Sequence, residues 1–434
     1  MLDIDLIRND FAKVEANIAR RQEPRYLEML HTLKAKDDAW RKALKDAADA
    51  RRKRNELSRQ LSEAKKRGEE KPELRQEAAA LPAKLEELEK LENALIKERD
   101  QLLMKLPNLL DESVPYGKDD SENVMVSEWG KRSEAPKGRP SHGDFLEAAG
   151  LADFEMARKV SGAGFYYMKG SIALLDLALQ RFAIDLLVQR GFVPVIPPCM
   201  LRRAPYEGVT DLSDFENVMY KIDGDDLYLI ATSEHPMAAL HMGEVLDEDS
   251  MPIRLAGVSP CFRKEIGGHG VDQKGIFRVH QFNKVEQFVF CRPEDSVKIH
   301  EELRGNLEDM FRLLGIPYRV VNVCTGDLGI VASKKYDVEA WYPKQAQFRE
   351  VGSCSNCTDY QARRLGIRMG KPGKPGKVVP HTLNSTAIAT TRAIVAILEN
   401  YAKDDKTVIV PDALRPYMGG LKEMGTTQLN GNQT

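Results

Sequence analysis

The sequence predicts an α+β fold: an antiparallel sheet flanked by helices, preceded by a helical arm. Three observations carry this. Residues 1 to 108 hold apolar residues at spacings of three and four over two long stretches divided by one turn signal. Residues 257 to 290, GVSPCFRKEIGGHGVDQKGIFRVHQFNKVEQFVF, read as strand, glycine-rich loop, strand. A helical stripe from Ile172 to Leu186 gives way at Gly191 to the strand-like Val193 to Ile196.

At 434 residues the chain has room for two or three domains of roughly 150 residues each. A hydrophobic content of 42% supports a sizeable core, and the formal net charge is −2. Nucleic-acid binding would therefore need a local basic patch. Six cysteines are few for this length and suit a reducing compartment. No run of about 18 apolar residues suggests a membrane span, and MLDIDLIRNDF lacks a basic-then-apolar leader pattern. A cytoplasmic enzyme is the expectation.

The arm begins with a short helix around Asp5 to Arg21. A helix from Arg25 to Arg67 then offers Leu30, Leu33, Trp40, Leu44, Ala47, Leu57 and Leu61 as one stripe. Its partner, Pro72 to Leu106, offers Leu74, Ala78, Leu81, Leu85, Leu88, Leu91, Leu95 and Leu102. The turn Gly68 to Pro72 makes the pair an antiparallel coiled coil. At 1.5 Å per residue the first helix spans about 60 Å. Pro82 should kink or restart the second. The outer half of the first helix is basic: Arg51, Arg52, Lys53, Arg54, Arg59, Lys65, Lys66 and Arg67 face only Glu56 and Glu63. Such a run is either a solvated coil face or a contact for RNA phosphates.

Residues 109–170 are rich in proline, glycine and polar side chains and read as a connector, and residues 171–418 as the main body. Ser171 is placed to cap the first body helix. In LYLIATSEHPMAAL, a strand leads through Thr232, Ser233 and Glu234 to a helix opened by Pro236. Ser233 is placed either to cap that helix or to serve a site. In the hairpin, alternation puts Arg263 and Glu265 on one face of the first strand, and Arg278, Phe282 and Glu286 on one face of the second. If the strands pair, one surface carries two guanidiniums, an aromatic ring and two carboxylates. A solvated sheet face is the plainer reading, but it seldom needs a central Phe, and Arg is shaped to clamp phosphate or carboxylate. In EVGSCSNC, Glu350 and Ser353 have opposite parity. They can share one metal ion only if the backbone leaves the regular strand, which Gly352 permits. Cys354 and Cys357 form a CxxC without the second ligand pair of a closed zinc site. PHTLNSTAIATTRAIVAILENY ends in an apolar helix that has no packing need for Arg392. Residues 419–434 read as a disordered tail.

CFRKE…GIFRVHQFNKVEQF resembles motif 2 of the class II aminoacyl-tRNA synthetases, and its wording is similar to that of the seryl-tRNA synthetases. GFVPVIPP resembles motif 1, which builds the homodimer interface in that family, and Arg392 stands at the motif 3 arginine. The resemblance implies a class II catalytic domain behind a tRNA-binding arm. It implies that L-serine is activated with ATP and Mg2+, and then transferred to tRNA(Ser), with tRNA(Sec) as a second candidate. Thr232, Ser233, Glu234, Arg263, Glu286 and Thr386 would bind serine. Arg263 would hold the α-phosphate and the serine carboxylate, Phe282 would stack on adenine, and Glu265 would lie beside it. Arg278 and Arg392 would grip the outer phosphates, with Lys264, Val279, Val351 and Gly352 beside them. Glu350 and Ser353 would hold the magnesium. The basic run of the arm would meet the long variable arm of the tRNA. Val271, Gln273 and Asn384-Ser385-Thr386 depart from common family wording without removing a required charge. Two rival readings are a ligase charging a carrier protein, whose relatives lack the arm, and an inactive RNA-binding paralogue.

Overall fold

The computed structural model describes residues 1–434 except 211–215, 266–274, 372, 404–406 and 426–434. It divides into two compact units, Met1–Pro107 and Asn108–Thr434.

The first unit opens with two helices, α1 (Ile4–Asn9) and α2 (Phe11–Ala19), instead of the single expected one. Asp10 breaks them with an extended φ of −141°. The long helices α3 (Pro24–Arg67) and α4 (Pro72–Lys105) follow, and Gly68 ends α3 in the left-handed conformation at φ 73°. Both begin with proline, which loses nothing at a position whose N–H has no helical partner. Three expectations fail here. Leu44 and Leu91 are 37% and 49% exposed, and Ala43 is buried in the seam beside the expected Ala47. α4 also runs on through Pro82. The proline removes one helical hydrogen bond, but Leu81 and Leu85 on either side are buried and keep the helix seated. Near the base, the buried Asp37 accepts from Arg8 and Arg99, and Arg99 lies 4.6 Å from the Trp40 ring.

The second unit is built on one eight-stranded sheet. Its main elements in chain order are β1 (Val124–Trp129), α5 (Ser171–Gln189), β2 (Val193–Val195), α6 (Glu234–Ala239), β3 (Ile253–Phe262), β4 (Gln281–Cys291), α7 (Ser296–Leu313), β5 (Tyr318–Asn322), β6 (Lys334–Tyr342), β7 (Gln347–Asn356), α8 (Tyr360–Arg364), β8 (His381–Ala389) and α9 (Thr390–Tyr401). The strand order is β1-β5-β6-β7-β8-β4-β3-β2. All neighbours are antiparallel except β2, which runs parallel to β3. Helices α5, α7 and α9 cover one face, packing Leu175, Leu179, Leu303, Leu307, Ile394 and Val395 against Val285, Val289, Val338 and Ala340. On the opposite face Leu255, Phe288 and Phe290 pack against Met237 and Ala238 of α6 and Ala362 of α8, and the rest of that face is left to polar side chains.

Three body expectations need correction. The connector contributes a sheet strand: β1 lies inside 109–170 and pairs with β5. Val124, Met125 and Val126 are all exposed, so no alternation announced it. Gly170, not Ser171, caps α5. Residues 419–425 are ordered, since Glu423–Gly425 pairs with Thr407–Ile409 and Met424 enters the core. The rest of the expected tail, with Gly267, Gly268, Gly270, Val271 and Gln273 of the hairpin loop, lies outside the described residues.

Candidate active site

Registers bring residues distant in sequence onto the open face. Across β3 and β4, Gly257 faces Glu286, Ser259 faces Lys284 and Cys261 faces Phe282. Across β4 and β8, Glu286 faces Thr386. Across β6 and β7, Asp337 faces Ser353, Val338 faces Gly352, and Glu339 faces Glu350. The last two pairs leave Val351 as one extra residue. This bulge resets the alternation, so Glu350 and Ser353 fall on the same side. Val351 turns its side chain into the core, at 1% exposure, so only its backbone is available to a ligand. Gly352 is needed where β7 meets β8: a Cβ there would sit 2.9 Å from that of Thr386 and 3.1 Å from Leu307.

The hairpin departs from the parity expectation at its outer ends. β3 stops at Phe262 and β4 starts at Gln281, so Arg263, Glu265 and Arg278 stand on the loop stems. Glu265 has φ 44°, outside the strand range. The charges meet nonetheless: Arg278 Nη1 donates to Glu265 at 2.8 Å, and the Arg263 guanidinium lies 5.3 Å from the Phe282 ring. Arg392, at the start of α9, donates to the Glu350 carbonyl at 2.9 Å and pairs with its carboxylate at 3.2 Å.

A cavity of about 520 Å³ is lined by Thr232, Glu234, Arg263, Glu265, Arg278 and Ser353, among others. A neighbouring cleft of about 880 Å³ shares Arg278 and Lys335 with it and adds Phe277, Asp337, Glu350 and Arg392. Val279 and Phe282 line a small recess between Arg263 and Arg392. Glu286 and Thr386 are buried, at 2% and 4% exposure, and Lys284 forms an ion pair with Glu286. Two expected residues point elsewhere. Ser233 is fully buried and donates to the Gly257 carbonyl at 3.3 Å, neither capping α6 nor facing the cavity. Lys264 lies 5.8 Å from the Tyr220 ring, and its backbone is held by Val218.

The acids of the site are unusually poised. Burial, with the charge of Glu286 behind it, pushes Glu234 up to about 7. Burial raises Asp337 too, against the pull of Lys335. The Glu350 side chain is 46% exposed; desolvation in the cleft opposes its ionisation, but Arg392, Lys335 and Arg263 override that and hold it below the usual carboxylate range. Asp337 Oδ1 is buried without a hydrogen-bond partner. Lys335, Asp337 and Phe277 were missed in the sequence. The strand text KKYDVEAWY carried a signal, because Lys335, Asp337 and Glu339 recur with period two. The CxxC cysteines are free thiols, and burial raises both. Among the described residues no three His, Cys, Asp or Glu side chains gather as a metal site.

Eight of the basic arm residues were singled out by sequence, and seven are exposed, Arg51 being half-buried. Arg51 pairs with Glu89 at 2.9 Å, Lys53 with Glu77, and Arg52 with Asp49. No ion pair among the described residues engages Arg54, Arg59, Lys65, Lys66 or Arg67. Among those residues no helix is long and apolar enough to cross a membrane.

Comparison with known proteins agrees with this architecture. Residues 218–401 match the class II tRNA synthetase core domain (G, H, P, S and T), and residues 1–110 match the seryl-tRNA synthetase N-terminal domain. The serine–tRNA ligase of Methanocella arvoryzae is 54% identical over 423 residues, covering 97% of this chain and 100% of that protein. That of Thermococcus sibiricus is 51% identical, covering 96% of each. The crystal structure of seryl-tRNA synthetase from Pyrococcus horikoshii complexed with ATP superposes with a TM-score of 0.94 at 47% identity, over 99% of this chain and 100% of that one. With the fold, both domains and nearly the whole length in agreement, the chain belongs to the seryl-tRNA synthetases, within the class II aminoacyl-tRNA synthetases.

Proposed function

We propose that the chain joins L-serine to ATP as seryl-adenylate, releasing pyrophosphate, and passes the seryl group to the 3′ end of tRNA(Ser). One observation supports the site assignment: Glu234 and Arg263 line one cavity, Glu350 and Arg392 line its neighbour, and the two cavities share Arg278 and Lys335. The serine carboxylate is already a nucleophile, so no activated Ser or Cys is needed. The protein has to align two anions and offset the charge that develops between them.

Arg263 stands between the two substrates and takes the α-phosphate and the serine carboxylate. Phe282 offers a face to adenine once Arg263 moves from it to the phosphate, and Glu265 lies alongside. Arg278 and Arg392 grip the outer phosphates, with the backbone of Val351 and Gly352 and the side chain of Val279 shaping the recess. Thr232 and Glu234 take the ammonium. Glu286 and Thr386 pair with the substrate hydroxyl, so alanine would leave buried polar groups unpaired and be rejected by roughly 10⁴. Glu350 and Ser353, beside the partnerless Asp337 oxygen, are the residues that would hold a magnesium ion. Such an ion would neutralise phosphate charge.

The basic outer stretch of α3 is the tRNA contact. Two copies of the chain pair through the exposed apolar residues around α5 and β2, where Leu177, Val193 and Ile196 are 61%, 58% and 88% exposed. Six free thiols suit the cytoplasm. The test is serine-dependent ATP–pyrophosphate exchange, followed by aminoacylation of tRNA(Ser) and tRNA(Sec) transcripts. Exchange without transfer to either RNA would favour a carrier-protein acceptor, and no exchange would end the reading.

A further inference from the structure

Gln361 lies fully buried on α8, outside every motif that pointed to the site. Its Nε2 donates to Glu234 Oε1 at 2.9 Å and approaches the Val209 carbonyl at 3.4 Å. Its Oε1 accepts from the Thr382 hydroxyl at 2.7 Å. Glu234 and the Val209 carbonyl both accept, so the amide nitrogen must face them, and the amide has one orientation. The two donor positions and the acceptor are thus all used. Residues from β8, α8 and α6 are joined in a single chain, Thr382 to Gln361 to Glu234, that ends at the cavity.

We infer that Gln361 is the positioning residue for Glu234: it holds one carboxylate oxygen and leaves the other for the ammonium of the amino-acid substrate. This deepens the proposed function and rests on it. The surroundings make such a holder necessary. Glu234 sits among Glu286 and Lys284 of β4, Arg263 beyond β3, Tyr206, and Cys357 at the end of β7. Burial and Glu286 favour its protonated form, while Lys284, Gln361 and Arg263 favour the anion. A protonated Glu234 would carry no negative charge with which to counter the ammonium. The amide donor is a neutral way to favour the charged form. A Lys in its place would compete with the ammonium.

Gln361→Leu removes both amide ends at similar volume. In serine-dependent exchange, its KM for serine should rise roughly ten- to hundredfold, with kcat and the KM for ATP within about twofold. In the unmodified protein, serine KM worsens as pH falls through the range where Glu234 takes up a proton. In the variant that midpoint moves to higher pH, because the anion has lost a donor. Thr382→Val, which keeps the amide but frees it to turn, should move both quantities the same way by less. It also carries the test should Gln361→Leu fail to fold. Unchanged serine KM and midpoint in either folded variant overturns the assignment while leaving the activity standing. Equal rises in the serine and ATP KM also overturn it, since that marks general loosening. Absence of exchange in the unmodified protein overturns the proposed function, and this inference with it.

Discussion

The arm and the sheet both use arginine and lysine, but in opposite surroundings. On the outer half of α3, Arg54, Arg59, Lys65, Lys66 and Arg67 stand in water, and their neighbours Arg51, Arg52 and Lys53 each pair with a single exposed acid. Such pairs stabilise by at most about 1 kcal/mol each. In the body, Arg392 is held by the carbonyl and carboxylate of Glu350, and Arg278 by Glu265, inside a cleft shaped by eight strands. A cation in water acts through the sum of its neighbours, while a cation in a cleft acts through its position. The arm should therefore tolerate single changes and respond to sets, and the body should fail at single atoms.

The sharpest way to break that contrast is Arg263→Ala. Losing a positioned cation from a phosphoryl site should lower the exchange kcat/KM by at least about 10³, and a loss under tenfold would erase the distinction. Next is Gly352→Val, which forces a side chain against Thr386 and Leu307. It should cost the body about 3 kcal/mol in urea unfolding while the helical signal of the arm persists. Third, Glu at Arg54, Arg59, Lys65 and Lys66 together should leave exchange intact and lower aminoacylation kcat/KM roughly ten- to hundredfold, with a shallower salt dependence. Each single reversal should cost less than about threefold. Last comes Glu234→Gln. With Glu234 raised to about 7 in the fold, its stabilising protonation is lost as pH rises through that value. The amide should thus be more stable than the parent by about 3 kcal/mol at pH 8, and by about 1 kcal/mol at pH 5, where the folded acid is still protonated. Serine activation falls at both pH values.

The same contrast decides what could be read from the chain alone. The arm is local in origin: spacing gave its helices nearly to the residue, and Gly68 with Pro72 placed the turn. Its misreadings were local also. At Leu44 and Pro82, a neighbouring turn of helix chose which side chain to bury, and whether to continue. The site is not local. The residues proposed for it were visible as motif text, and its arginines and acids stood where a charge was otherwise unexplained. Their geometry was not. Parity failed for Arg263, Glu265 and Arg278, which lie beyond Phe262 and Gln281, the last regular pair of the ladder. Lys335 and Asp337 escaped because their meaning depends on which strand lies opposite. Gln361 escaped because a buried amide on a five-residue helix carries no sequence pattern at all.

Removing a residue from the middle of a sheet usually turns every later side chain over. At Val351 it would not. The residue is surplus to the ladder, so excising it would leave Glu350 opposite Glu339 and Ser353 opposite Asp337, at the loss of a plug of valine in the interior and of one peptide unit beside the recess. A one-residue gap at that point would leave Glu350 and Ser353 on one side of the strand.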